Sequence, residues 1–180
     1  LCCRGKLLLK DFCDSRKVNY SLVGKLIVAN QKEGVTRLQE ILNNGRRNGV
    51  LDLRMVYKDE LTELEPGLRA EQAILSPSTG IVDSHGLMLA LLGDINDNGG
   101  IVSFQSSFVG ARSINGGYSV TVESGEIIEI TCRELINSSG LQAQKLSALV
   151  EGVPRKTIPV SRLCKGTYFS LTGKAPFSRL

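Results

Sequence analysis

Apolar residues recur early in the chain with the three-and-four spacing of a helix. Leu8, Leu9, Phe12 and Cys13 share one face of a helix predicted over 1–17, with Lys6, Lys10 and Asp14 elsewhere around it. The run Gly24-Lys-Leu-Ile-Val-Ala29 is short, β-rich and bounded by Gly24 and Asn30, which predicts a strand. A second helix runs from about Glu33 to Asn48, with Val35, Leu38, Ile41 and Leu42 on one face. Gly49 closes it, where a left-handed residue costs least. Arg54 to Tyr57 reads as a strand, and Asp59 then caps a short helix that stops before Pro66.

Ala73 to Leu75 is strand again and runs into the turn-rich Ser76-Pro-Ser-Thr-Gly80. Asp83 or Ser84 caps the next helix, which carries Leu87, Leu91 and Ile95 along one side and ends at Asn98-Gly99-Gly100. A strand cluster follows, over Ile101–Phe104, Val109–Ile114, Tyr118–Glu123 and Ile127–Cys132. The turns at Asn115-Gly116-Gly117 and Ser124-Gly125 make it a β-meander. Glu134 to Gly140 reads as a short strand ending in small residues, before a helix from about Leu141 to Val150. The last thirty residues are extended, through Pro154, Pro159 and Lys165-Gly-Thr-Tyr-Phe-Ser-Leu171. Helices and strands interleave without an internal repeat, so the class is α/β or α+β.

Composition narrows this picture. The 180 residues suit one large domain or two small ones, and 42% hydrophobic with 22% charged residues excludes a disordered chain. The net charge of +4 is too small and too scattered to argue for nucleic acid. No apolar run approaches the roughly 18 residues of a membrane span. The chain opens on Leu1 without a basic segment leading into an apolar one, so no targeting signal is read, and the missing Met places the natural start upstream. The five cysteines, Cys2, Cys3, Cys13, Cys132 and Cys164, form no CxxC pair and no Cys/His cluster with metal-ligand spacing. Reduced thiols in an intracellular protein without a metal are expected; a disulfide from Cys2 or Cys3 to a distant partner is the alternative.

Motifs that carry chemistry are few. GxGxxG, the P-loop and HExxH do not occur. His85, the single histidine, stands at a helix start, where it serves equally as a capping or packing residue or as a proton acceptor. Asn137-Ser-Ser-Gly-Leu-Gln-Ala143 fits a plain strand-to-helix turn, and also a turn against a phosphate or cofactor edge. The segment 76–85 fits an ordinary interdomain loop as well as a functional one. Lys165 and Arg179 are surface cations or anion receptors.

Five collinear segments give these pieces a common context. Gly24-Lys-Leu-Ile-Val-Ala29, Glu65-Pro66, Leu75-Ser-Pro-Ser-Thr-Gly-Ile-Val-Asp-Ser-His85, Ile136-Asn-Ser-Ser-Gly-Leu-Gln-Ala143 and Lys165-Gly-Thr-Tyr-Phe-Ser-Leu171 follow one another at suitable spacing. Together they resemble the FAD-dependent oxidoreductases of the D-amino-acid-oxidase superfamily, in the branch around the L-2-hydroxyglutarate dehydrogenases. The resemblance spans essentially the whole chain. It implies an internal piece of a longer enzyme, since the family's GxGxxG lies nearer its N-terminus than any residue here.

The resemblance implies two interleaved α/β domains: a mixed-sheet substrate domain from 1–82 and 151–180, and part of a Rossmann-like FAD-binding domain over 83–150. Phe108 and Val109 match a position whose backbone contacts the adenine. Ser138, Ser139, Gly140 and Leu141 match the second, phosphate- and ribityl-side turn, where many members carry Ala-Ala-Gly. Lys165, Tyr168 and Arg179 become the substrate-binding candidates and His85 the candidate for proton transfer. The reaction implied is oxidation of a small 2-hydroxy acid, L-2-hydroxyglutarate to 2-oxoglutarate, with hydride passing to the flavin and then to an unidentified electron acceptor. A cytoplasmic or mitochondrial location goes with it. An amine or amino-acid oxidase of the same superfamily, and a non-catalytic binding module, are the alternatives.

Overall fold

The periodic segments of the first hundred residues form the expected elements; the apolar faces of the helices over 32–47 and 58–64 converge on one small sheet, whereas Leu8, Leu9, Leu91 and Ile95 of the first and fourth helices stay exposed. In the computed structural model, which describes residues 1–167 and 171–180, α1 spans Cys2–Arg16 and buries Cys13. After it come β1 (Tyr20–Ser21), β2 (Lys25–Ala29), α2 (Lys32–Arg47), β3 (Arg54–Tyr57), α3 (Lys58–Leu64), β4 (Gln72–Ser76), β5 (Ile81–Val82) and α4 (Ser84–Asp97). Strands β2, β4 and β3 form an antiparallel sheet in that order, with Ile27 opposite Ile74 and Met55 opposite Ile74 on the other side.

Because side chains alternate across a pleat, this register sorts the apolar residues into two layers. Ala29 and Ile74 pack with Leu38 and Leu42 of α2 and with Leu53. Val56, Ala73 and Leu75 pack on the opposite face with Leu61 of α3. The sheet therefore lies between two helices, held by the buried Leu38 and Leu42 of α2 and by Leu61 of α3. A buried leucine cut to alanine costs about 2–5 kcal/mol, so the layers are set by few residues.

Two further contacts complete this unit. The two-residue strands β1 and β5 pair antiparallel, and Asp83 caps α4 by accepting the Gly86 N–H at 3.0 Å. At the C-terminal end, Leu180 N–H donates to the Gly24 carbonyl (3.2 Å) while Leu26 N–H donates to the Leu180 carbonyl (2.9 Å), along the outer edge of β2.

The second unit is a meander of β6 (Ser107–Ile114), β7 (Gly117–Ser124) and β8 (Glu126–Cys132), paired in sequence order. Ala111 and Val120 are opposite each other and buried. A 3-10 turn at Gly140–Gln142 leads into the short α5 (Ala143–Ser147), and a parallel bridge joins Val150 to Ala111.

Several expectations need correction. Ile101–Phe104 is not a strand: Gln105 takes a positive φ of 53° and the Ser103 and Ser106 hydroxyls meet at 2.7 Å, so pairing begins only at Ser107. Residues 134–139 are not a strand either, and the helix expected to reach Val150 stops at Ser147. Asp59 lies inside the first turn of α3 rather than at its cap, which is Tyr57; there its charge faces the positive end of the helix. No strand covers residues 161–167. The chain forms two compact units, Leu1–Gly100 with Ser170–Leu180, and Ile101–Phe169. Within the first unit, β1–β5 pairing, the Arg16–Asp94 ion pair at 2.7 Å and the Asp83 cap tie α4 to the elements before it.

All five cysteines are free thiols. No helix among the described residues is long and apolar enough to cross a membrane.

Candidate functional site

The turn after β8 is built on one side chain. Asn137 Oδ1 accepts from the Ser139 backbone N–H at 3.2 Å and from its hydroxyl at 2.5 Å. Asn137 Nδ2 donates to the Ala143 carbonyl at 2.8 Å and to Ser147 Oγ at 3.0 Å. These bonds replace the ladder a strand would have supplied, which is why the chain turns here without being paired. Gly140 follows with φ of 56°, a conformation disfavoured by any Cβ. A Cβ at Gly140 would nevertheless meet nothing within 4 Å, so the space beside the turn is open. Ser138 and Leu141 are exposed and Ser139 half-buried.

A second unpaired point lies on β6. The register with β7 shifts between Phe108 and Gly110, which takes Val109 out of the pairing. Such a bulge turns backbone groups away from the ladder and makes them available to something else. Phe108 is half-buried and Val109 exposed. The second unit thus carries a stapled turn of small residues with open space beside it, and a bulge that takes Val109 out of the β6–β7 pairing next to Phe108.

In the first unit, the 76–85 loop is tightly tied. Gly24 N–H donates to the Thr79 carbonyl at 2.9 Å and Thr79 Oγ1 to Ser76 Oγ at 2.8 Å. A Cβ at Gly80 would stand 2.6 Å from the Ser21 carbonyl oxygen, so only glycine lets the loop come this close. The adjacent Asp83, Ser84 and His85 form no relay, because the Asp83 carboxylate is spent on the Gly86 N–H. His85 is exposed in the first turn of α4.

Lys165 is exposed, while Tyr168 lies outside the described residues. Arg179 is turned onto the end of α3, where Nη1 donates to the Leu64 carbonyl at 2.8 Å and approaches Glu65 Oε1 at 3.4 Å. Glu65 also accepts from the Ser178 N–H and hydroxyl and from the Arg179 N–H. The Ser178 hydroxyl first, then these backbone N–H groups, hold its carboxyl below the ordinary value of 4.5. Sequence reasoning quoted Glu65 only as part of a motif and gave Asn137 no role of its own; neither has a periodic signal, since both act through partners that folding brings to them.

A sequence model of the FAD dependent oxidoreductase family, DAO, matches residues 1–179. The mitochondrial L-2-hydroxyglutarate dehydrogenase of Arabidopsis thaliana is 30% identical, the match covering 99% of this chain and 43% of that protein. The corresponding protein of Pongo abelii is 34% identical over 83% of this chain and 38% of its own length. The chain thus spans about two fifths of these relatives. In structure, L-proline dehydrogenase from P. horikoshii superposes with a TM-score of 0.71 at 18% identity, covering 81% of this chain and 39% of that one. That likeness shows the fold.

Proposed function

The chain belongs to the family of FAD-dependent oxidoreductases, and from that membership we propose that it forms part of an enzyme oxidising a small 2-hydroxy acid, L-2-hydroxyglutarate, to the 2-oxo acid. The observation that carries the substrate is the identity of 30% over 99% of the chain to a protein bearing that activity in its name.

FAD would lie against Ser138, Ser139, Gly140 and Leu141 and against the backbone of Phe108 and Val109. When bound, it supplies the two-electron acceptor that no amino-acid side chain offers. The chain's own residues do the rest. The Asn137-stapled turn keeps its small residues in one place, so that the face toward the cofactor needs no reorganisation on binding. Lys165 is assigned one substrate carboxylate through a charge-assisted hydrogen bond. His85 is assigned the hydroxyl proton, because a neutral imidazole carries a ring nitrogen that can accept it. Arg179 keeps a structural part in this reading: its guanidinium faces Glu65, and it holds the 178–180 segment to α3.

The test is the longest natural chain containing these residues, purified with its flavin and given L-2-hydroxyglutarate. Formation of 2-oxoglutarate with reduction of the flavin supports the proposal. Hydrogen peroxide and ammonia released from an amino acid, with no turnover of the hydroxy acid, would replace it with an amino-acid oxidase.

A further inference from the structure

The two edges of the β2–β4–β3 sheet are not alike. β3 begins at Arg54, whose guanidinium pairs with Glu60, and runs straight into α3. β2 carries one charge, Lys25, ahead of the uncharged Leu26-Ile27-Val28-Ala29. Charges on an edge discourage further pairing, and a bare apolar edge invites it.

Pairing has already begun on β2. Leu180 N–H donates to the Gly24 carbonyl at 3.2 Å, and Leu26 N–H donates to the Leu180 carbonyl at 2.9 Å. One residue bonded to both neighbours of another is the pattern of a parallel pair, here with Leu180 opposite Lys25. Glu65 fixes the two residues before Leu180 by accepting the N–H groups of Ser178 at 3.0 Å and Arg179 at 2.9 Å. The chain therefore reaches the edge already running in the direction of β2. Backbone groups alternate sides along a strand, so the Leu26 carbonyl and the Val28 N–H and carbonyl point outward with the Leu26 N–H. Among the described residues no strand pairs with that side of β2.

From these bonds we infer that the outer edge of β2 is the docking site of the stretch that follows Leu180 in the longer protein, laid down as a parallel fourth strand. Its second residue faces Ile27, donates its N–H to the Leu26 carbonyl and accepts the Val28 N–H. The chain spans about two fifths of its relatives, and continuity selects this stretch over a second copy or a separate peptide. Its start is seated in register, so it competes at high effective concentration and without the cost of association. The inference concerns the assembly of the first unit and holds whichever substrate the enzyme takes.

Residue-resolved hydrogen exchange on the longest natural chain tests it. The Val28 amide should exchange at least about a hundredfold more slowly than an unstructured amide, alongside Leu26. A second measurement identifies the occupant. Neighbouring strands lie about 4.8 Å apart, within the reach of a disulfide, so Ile27→Cys combined with a cysteine at the second residue after Leu180 should link on oxidation, as located by peptide mapping. Exchange of Val28 at the unstructured rate would overturn the inference, as would a protected Val28 with position 27 linked elsewhere or not linked at all.

Discussion

The carboxylate of Glu65 accepts both the backbone N–H and the hydroxyl of Ser178, a residue 113 positions further along the chain. With 4% of its surface exposed, Glu65 is one of the most buried acids of the molecule, and the Ser178 and Arg179 groups supply the donors a buried charge requires. Its removal should therefore release the C-terminal segment from α3.

Glu65→Gln keeps the shape and removes the charge, and a loss of about 2 kcal/mol is expected from the weakened hydrogen bonds. The sign of the pH dependence follows from a carboxyl held below 4.5 in the folded chain. Its contribution is complete above the unfolded value and disappears as pH falls through the lower, folded value. Urea unfolding of parent and variant from about pH 7 to about pH 3 should show a gap that closes only in acid. A gap independent of pH would contradict this assignment.

Gly80 supports the loop for a different reason, since a Cβ there would come within 2.6 Å of a backbone oxygen of Ser21 and 3.0 Å of Leu22. Neither the carbonyl nor the strand bearing it can move without disturbing the β1–β5 pair. Gly80→Ala should cost about 1–3 kcal/mol, as overpacking does, read as a lower melting temperature. An unchanged melt would mean that the loop has room to shift.

Gly140 separates fold from cofactor. Gly140→Asn tolerates the left-handed backbone, and the open space there accepts the side chain, so the melting temperature of the 180-residue chain should hardly change. In the flavin-loaded longer chain the same side chain would occupy the space assigned to FAD, and flavin should be lost on gel filtration. Retention of stoichiometric flavin would return 137–143 to a plain turn.

Lys165 is exposed, so Lys165→Met should leave stability within about 0.5 kcal/mol. Its assigned role lies in binding, and the Michaelis constant for L-2-hydroxyglutarate should rise by roughly one to two powers of ten. Arginine should rescue only part of this, because a planar fork and an ammonium differ in shape. A Michaelis constant unchanged in the Met variant would remove Lys165 from the site.

What could be read from the sequence was the part governed by local periodicity and local chemistry. Leu38 and Leu42 stand on one face of α2 because their spacing is four, and both are buried as that spacing requires. The cap of α4 was legible as Asp83 or Ser84, both good caps before an apolar helical pattern, and Asp83 takes the role. The Asn115-Gly116 turn fixed β6 against β7. Illegible were the places where a side chain or a distant segment replaces regular pairing. Residues 134–139 carry strand-forming Leu135 and Ile136, yet Asn137 bends the chain through its own hydrogen bonds. The ion pair of Arg179 with Glu65 joins residues 114 positions apart, so nothing local announces it. The two-residue strands β1 and β5 are too short for any period to reveal.

The most direct test is anaerobic mixing of the flavin-loaded longest natural chain with L-2-hydroxyglutarate, following flavin absorbance and 2-oxoglutarate together. Bleaching of the flavin with one equivalent of 2-oxoglutarate per flavin is expected, and no bleaching with the D enantiomer. A flavin that stays oxidised with the hydroxy acid but bleaches with an amino acid would contradict the central claim.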